Sequence, residues 1–322
     1  MPAAPSRSLL PLPIVLGPTG SGKSELAICL ASAIGGEIVN CDSLQLYCGF
    51  DIGTAKVPLA ERRGIPHHLI DVIGPSEIFT AGQYSEAGRA CLHEISRRGR
   101  IPVVVGGTGF YLRALLDGLF PGPQRDEALR QRLEDRERLR PGSLHRVLTR
   151  LDPVAAARIH RNDTNKIIRA LEVRLLEGKP ISTLFDRGRG PLIGFRAIKL
   201  GLAPPRDLLY QQLDARTARL FQHGLVEEVR HLLDSGVPAS AKPFESLGYK
   251  QALQVLTGQL TRDQAIESTR LETRRYAKRQ ITWFRKETEV NWLEGFGADD
   301  AIQRKALAII ERELDCKGKD GP

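Results

Sequence analysis

Residues 17 to 24 read Gly17-Pro18-Thr19-Gly20-Ser21-Gly22-Lys23-Ser24, a match to the phosphate-binding pattern G-x-x-x-x-G-K-[ST]. Glycines at these positions let successive backbone N–H groups turn toward an anion at the start of a helix. Lys23 supplies a point charge, and the Ser24 hydroxyl can ligate Mg2+. The flanks have the order such a loop requires. Leu12 to Leu16 is a short apolar run ending at Gly17, and Glu25 to Ile34 carries Leu26, Ala27, Leu30 and Ala31 at helical spacing. Strand, loop and helix follow one another, so a polyphosphate is expected in a nucleotide-binding, ATP-binding type of loop. The loop leaves open which bond to the phosphate breaks.

Working outward, β-rich apolar runs at Glu37 to Cys41, His67 to Ile73 and Ile101 to Val105 alternate with helical segments, the signature of a parallel sheet covered on both faces. After Pro121-Gly122-Pro123 the character changes: from Gln124 to about Phe185 there is little strand signal and much Arg, Glu, Leu and Ala. Ile193 to Leu202 restores a β-type run, and helices are predicted at about Pro205 to Gln222, Leu225 to Leu233, Ser246 to Leu256 and Thr261 to Glu287. The expected fold is α/β, a P-loop NTPase-like parallel sheet core formed by 1–123 and 190–315. A helical subdomain is inserted at 124–189, and 316–322 is expected to be a disordered tail.

The composition bounds the rest. A chain of 322 residues, 41% hydrophobic and 26% charged, is an ordinary globular protein able to bury a sizeable core. Leu9 to Leu16 contains two prolines and runs straight into the phosphate loop, so it reads as the first strand and not as a signal peptide or membrane span. A cytoplasmic protein is expected. Five cysteines, Cys29, Cys41, Cys48, Cys91 and Cys316, are an odd number without paired spacing, which argues against a disulfide framework or a zinc cluster. The formal charge of +9 favours a polyanionic partner larger than a small phosphate.

Ligands of parallel α/β sheets sit beyond the carboxyl ends of the strands. Asp42, Ser43 and Gln45 follow the second strand directly; a carboxylate there can act as a base, bind Mg2+ or cap a helix. Gly106-Gly107-Thr108-Gly109-Phe110-Tyr111 leaves another strand with small residues and one hydroxyl, which permits close approach to a ligand. His67 and His68 lie on opposite faces of an extended run and have no acidic or Cys cluster nearby, so metal ligation is disfavoured. Between Thr261 and Glu287 lie Arg262, Arg270, Arg274, Arg275, Lys278, Arg279, Arg285 and Lys286, with Tyr276, Trp283 and Phe284 interleaved. That pattern suits an RNA backbone and unstacked bases; it equally describes a solvated amphipathic helix whose aromatics are core.

Together the motifs resemble the tRNA dimethylallyltransferase (isopentenyltransferase) family, bacterial type, over nearly the whole chain and in family order. The pieces are GPTGSGKS at 17–24, DSLQLY at 42–47, DIGTAK at 51–56, GIPHHLID at 64–71, GGTGFYLRALLDG at 106–118, DPVAAARIHRND at 152–163, IIRALE at 167–172, GLVEEV at 224–229, GYKQ at 248–251 and YAKRQITWFRK at 276–286. The resemblance implies transfer of a dimethylallyl group from dimethylallyl diphosphate to the exocyclic N6 amine of the adenosine 3′-adjacent to the anticodon. The tRNAs would be those reading codons that begin with U, and diphosphate would leave. By the same resemblance Asp42 is the general base, Thr108 a hydroxyl at the reacting centre and Arg216 a clamp on the diphosphate. Residues 17–24 bind the diphosphate and Ser24 contacts Mg2+, the implied cofactor. The RNA contacts carried over are Asp42, Ser43, Leu44, Gln45, Thr108, Arg130, Asn165, Lys166, Ile167, Ile168, Arg169, Arg274, Arg275, Lys278, Arg279 and Thr282. The partners so implied are tRNA, through its anticodon stem-loop, and dimethylallyl diphosphate; no membrane is involved and the enzyme acts as a monomer. Gly20 and Ser24 stand where Ala and Thr are commoner in the family, and Asn165-Lys166 where Gln-Arg is frequent. Two other readings compete: a P-loop small-molecule or nucleotide kinase, which shares loop, sheet and helical lid, and an RNA-binding module with a vestigial loop.

Overall fold

The computed structural model describes residues 9–120, 122–185 and 190–315; the tail expected at 316–322 lies outside them. The chain divides into two compact units, one of residues 1–116 with 192–322 and one of 117–191. We propose the second as the inserted subdomain, with limits a few residues outside the 124–189 expected from composition.

The first unit holds β1 (Leu10–Leu16), α1 (Lys23–Ile34), β2 (Gly36–Asn40), β3 (His67–His68), α2 (Ala81–Arg97), β4 (Ile101–Gly106) and α3 (Gly109–Asp117). The second holds α4 (Glu127–Leu139), α5 (Ser143–Leu151), α6 (Pro153–Arg158), α7 (Thr164–Glu177) and α8 (Ile181–Phe185). The chain then returns to the first unit with β5 (Phe195–Leu202), α9 (Arg206–Gln222), α10 (Leu225–Asp234), α11 (Tyr249–Leu256), α12 (Arg262–Phe284), β6 (Val290–Leu293) and α13 (Asp300–Asp315). Six strands form one sheet in the order β3-β2-β4-β1-β5-β6, every pair parallel. This is the α/β, P-loop NTPase-like architecture. Its sheet is covered by helices: α1 and α13 close one face through Leu26, Leu30, Ile302, Ala306 and Ile310, packed with Val15, Ile38, Val103, Ile198 and Leu200 of the strands.

Pro11 and Pro13 sit in a central strand, where a missing N–H normally breaks a ladder. The register explains the tolerance. Leu10 N–H donates toward Gly194 O on the β5 side, so by alternation the N–H positions of residues 11 and 13 face β4. Pairing with β4 starts only at Ile14.

The structure corrects the strand predicted over His67 to Ile73. Only His67–His68 are strand, because Leu69 and Asp71 adopt φ of +60° and +54° and turn the chain off the sheet. The segment wraps the loop after β2 instead, with Asp71 N–H on Gln45 O at 3.1 Å and Val72 N–H on Leu46 O at 2.8 Å. β6 and α13 were not predicted. β6 is a four-residue edge strand with two exposed residues, too short for a periodic signal.

The second unit has its own apolar core of Leu144, Leu148, Ala155, Ile167, Ile168, Leu171 and Leu184. Glu172 is fully buried beside it. Its carboxylate accepts from Arg130 Nε and Nη2, both at 2.8 Å, from Arg169 Nη1 at 2.6 Å and from Asp126 N–H at 2.9 Å. Burial alone would raise the pKa of Glu172, but these donors outweigh it and lower it to about 2. A carboxyl depressed in the folded state contributes stability that is present above its unfolded value and fades as pH falls toward 2. Glu172→Ala strands two guanidinium groups, so urea unfolding is expected to show a loss of about 3–5 kcal/mol.

Candidate active site

The loop 17–24 joins β1 to α1 through a left-handed backbone, with φ of +150° at Gly17, +75° at Gly20 and +83° at Gly22, the N-cap of α1. The first N–H groups of α1 have no helical acceptor and are available to an anion. The loop is held from outside by the turn after β6, where Gly297 N–H donates to Ser21 O at 2.9 Å. The fit admits no side chain at either glycine: a Cβ on Gly22 would lie 2.7 Å from Gly297 N, and one on Gly297 2.0 Å from Gly22 O. Ser21 Oγ and Lys23 Nζ both donate to Pro18 O, at 2.8 and 2.7 Å. Burial pulls the Lys23 pKa down to about 8, with nearby Arg216 adding to the fall and Asp42 opposing it.

β2 and β4 are adjacent, and their exits bring the second set of groups alongside. Gly106 ends β4, where a Cβ would lie 2.0 Å from Cys41 O. Asn40 fixes the turn after β2: Oδ1 accepts Asp42 N–H at 3.0 Å, and Nδ2 donates to Asp42 O at 3.1 Å and Leu69 O at 2.8 Å. Asp42 Oδ1 accepts Leu44 N–H at 2.9 Å and closes the first bend of a turn; no helix starts here, so Asp42 is not a helix cap. That bond uses one carboxylate oxygen; Oδ2 has no hydrogen bond among the described residues. Thr108 Oγ1 accepts Ser43 N–H at 3.2 Å and donates to Ser43 Oγ at 3.4 Å.

Asp42 is also the group on which the site's cations converge. It acts electrostatically on Lys23, and on Arg216, whose pKa is lowered by burial and supported by Asp42 and Glu25. The Tyr276 hydroxyl of α12, its pKa raised first by burial, is raised further by Asp42. One ammonium, one guanidinium and one phenol thus lie within electrostatic reach of one carboxylate at the carboxyl ends of the strands. Arg216 lies on α9, far away in sequence.

Comparison with known proteins decides between the readings that this geometry permits. The family model for IPP transferase matches residues 45–287. The chain belongs to the IPP transferase family. A tRNA dimethylallyltransferase of Solibacter usitatus is 60% identical over 305 residues, covering 95% of this chain and 99% of the relative. The tRNA dimethylallyltransferase of Koribacter versatilis is 54% identical, covering 92% and 97%. Among solved structures, the full-length tRNA isopentenylpyrophosphate transferase of Bacillus halodurans superposes with a TM-score of 0.71 at 35% identity, covering 97% of this chain and 99% of that one. A eukaryotic dimethylallyltransferase acting on tRNA gives a TM-score of 0.80 at 29% identity, covering 97% and 80%. The protein is therefore a transferase, and the kinase reading is not favoured.

Within this IPP transferase the residues expected at RNA come from α12, from the second unit and from the turns after β2 and β4. Arg275, Lys278, Arg279 and Thr282 are exposed on α12, with the Arg279 guanidinium 5.7 Å from the Tyr276 ring centroid. Arg274 is instead tied to Asp214 through Nε at 2.9 Å, and Arg262 reaches Phe221 O. In the second unit Asn165 and Lys166 are exposed, Lys166 pairing with Asp163 at 2.5 Å. Ile167 and Ile168 are each 1% exposed; their side chains are core, which corrects the expectation that they face RNA. Arg130 and Arg169 hold Glu172. Ser43, Leu44 and Gln45 are half-buried, Gln45 Nε2 donating to Thr54 O at 3.1 Å. Sequence reasoning missed Asn40 and Gly297, which stand in no pattern specific to chemistry; it named Tyr276 only as an aromatic of the basic helix, and Gln280 only as a letter of the motif at 276–286.

The Lys23 pKa predicts a pH response. The ammonium is charged below about 8 and neutral above it, so inorganic diphosphate should bind the free protein more weakly as pH rises through that value. Lys23→Arg keeps its charge across the range, and isothermal titration should show the pH dependence flattened.

Proposed function

We propose that the protein transfers the dimethylallyl group of dimethylallyl diphosphate to the N6 amine of the adenosine 3′-adjacent to the anticodon, in tRNAs reading codons that begin with U. The observation that carries this reading is that Lys23 of the phosphate loop and Arg216 of α9 both lie within electrostatic reach of Asp42, in a chain whose relatives are named tRNA dimethylallyltransferase. In the step, the N6–C1 bond forms as C1–O breaks, diphosphate leaves, and the amine proton passes to Asp42. An exocyclic adenine amine is a weak nucleophile because its lone pair is delocalised into the ring. A carboxylate that takes up its proton as positive charge develops lowers the barrier, typically by 10^2- to 10^4-fold in rate. Lys23, Arg216 and the N–H groups at the start of α1 oppose the charge that grows on the departing diphosphate.

Mg2+ fits this site in the manner usual for phosphate substrates, which supply most of its ligands themselves. Among the described residues no group of three or more His, Cys, Asp or Glu side chains forms a cage for a metal, and Ser24 Oγ at the start of α1 would be the protein ligand. When bound, Mg2+ supplies further charge neutralisation on the diphosphate. The acceptor base is stacked within a loop, and reaching it requires extrusion at a cost of a few kcal/mol, offset in part by cations that follow the RNA backbone.

Asp42→Asn is expected to bind both substrates normally and to slow single-turnover transfer about a hundredfold or more. A wild-type rate in that experiment rejects the assignment of the base. For RNA binding, the triple variant Arg275→Ala, Lys278→Ala and Arg279→Ala removes exposed cations of α12 and spares the Arg274–Asp214 pair. It should weaken anticodon stem-loop binding and reduce the slope of log affinity against log salt, by about one for each RNA phosphate that is no longer neutralised. An unchanged slope and affinity would make this face of α12 a solvated surface.

A further inference from the structure

Gln280 on α12 is a buried polar side chain, 6% exposed, and both ends of its carboxamide bond to backbone on two separate loops. Oε1 accepts Thr19 N–H at 2.8 Å, and Nε2 donates to Gly107 O at 2.9 Å. Thr19 belongs to the phosphate loop. Gly107 precedes Thr108, whose hydroxyl fixes Ser43 next to Asp42. The ladder between β1 and β4 ends at Leu16 and Gly106, so beyond the sheet edge this carboxamide holds one loop against the other. The fit leaves no room for a side chain at residue 107: a Cβ on Gly107 would lie 2.5 Å from Gln280 Nε2, while Lys23 Nζ is farther off at 3.7 Å. One turn earlier on the same helix, Tyr276 lies in the field of Asp42.

We propose that Gln280 is a positioning residue for the transfer step, its carboxamide setting the distance between the diphosphate held at 17–24 and the amine held at Asp42 and Thr108. This rests on the transferase reading above. Displacement needs the reacting atoms roughly 3–3.5 Å apart, and a misplacement of about 1 Å can cost about a hundredfold in rate. The side chain has to be neutral and two-ended. A carboxylate could accept from Thr19 but, when ionised, could not donate to Gly107, and it would add a negative charge facing both Asp42 and the diphosphate.

The test is a double-mutant cycle of Gln280→Ala and Gly107→Ala, followed by single-turnover transfer from dimethylallyl diphosphate to an unmodified anticodon stem-loop. Each single change is expected to slow transfer about 10- to 100-fold, with diphosphate and stem-loop affinities within about twofold. The double variant should be no slower than Gln280→Ala, because the atom that the new methyl displaces is gone. Unchanged rates, losses that multiply, or an equal loss of substrate affinity would overturn the proposal. Gln280→Glu supplies a second readout. Protonated, its hydroxyl can take over the donation to Gly107, so its rate relative to wild type should rise as pH falls from about 8 to about 5.5; a flat ratio would count against the role. Should wild-type protein transfer nothing, the transferase reading fails, and the brace is then judged by melting temperature alone. Gly107→Ala should lower the melting temperature in wild type and not in the Gln280→Ala background; lowering it equally in both would overturn the brace as well.

Discussion

A diphosphate and a carboxylate repel each other, yet the proposed transfer brings a diphosphate to the loop beside Asp42, and the cations Lys23 and Arg216 meet that constraint. Lys23 and Arg216 both lie in the field of Asp42, and burial weakens the hold of both on their protons. Such groups gain most from an incoming anion, because partial desolvation strengthens every charge–charge interaction in the pocket. The neutral tie through Gln280 adds no charge to this balance, which is why an amide suits that position where a carboxylate would not.

The sheet order delivers these groups to one place. With β4 between β1 and β2, the phosphate loop, the Thr108 turn and the Asp42 turn leave three neighbouring strands at the same edge. Close approach of the turns then demands residues without side chains, and Gly106 and Gly107 meet Cys41 O and Gln280 where any Cβ would collide. Thus the glycines of GGTG serve backbone packing first, and the Thr108 hydroxyl is brought to Ser43 as a result.

The inserted unit follows a different logic. Its basic character suggests a surface rich in free cations, but Arg130 and Arg169 converge on the fully buried Glu172. A buried carboxylate without both partners would be costly, so these arginines are committed to the fold of the unit. Charge available to a polyanion lies instead on exposed side chains such as Arg275, Lys278 and Arg279 on α12. Net charge of +9 says that a polyanion is a fitting partner; which arginines are free to meet one depends on where the acidic residues fold.

The phosphate loop, the helix after it and the parallel α/β class were legible in the sequence, because glycine spacing and apolar periodicity are local properties written in consecutive residues. Asp42, Thr108 and Lys23 could be singled out for the same reason: each stands at a strand exit marked by its neighbours. The sequence could not show that His67 to Ile73 leaves the sheet after two residues, since the left-handed turns at Leu69 and Asp71 are stabilised by bonds to the Asp42 loop more than twenty positions away. Nor could it show that Arg274 is occupied by Asp214, that Ile167 and Ile168 face inward, or that Gln280 joins two loops separated from it by 261 and 173 residues. These outcomes depend on contacts between distant segments. Local pattern determined which groups were available for chemistry, and only the tertiary packing decided which of them were left free to perform it.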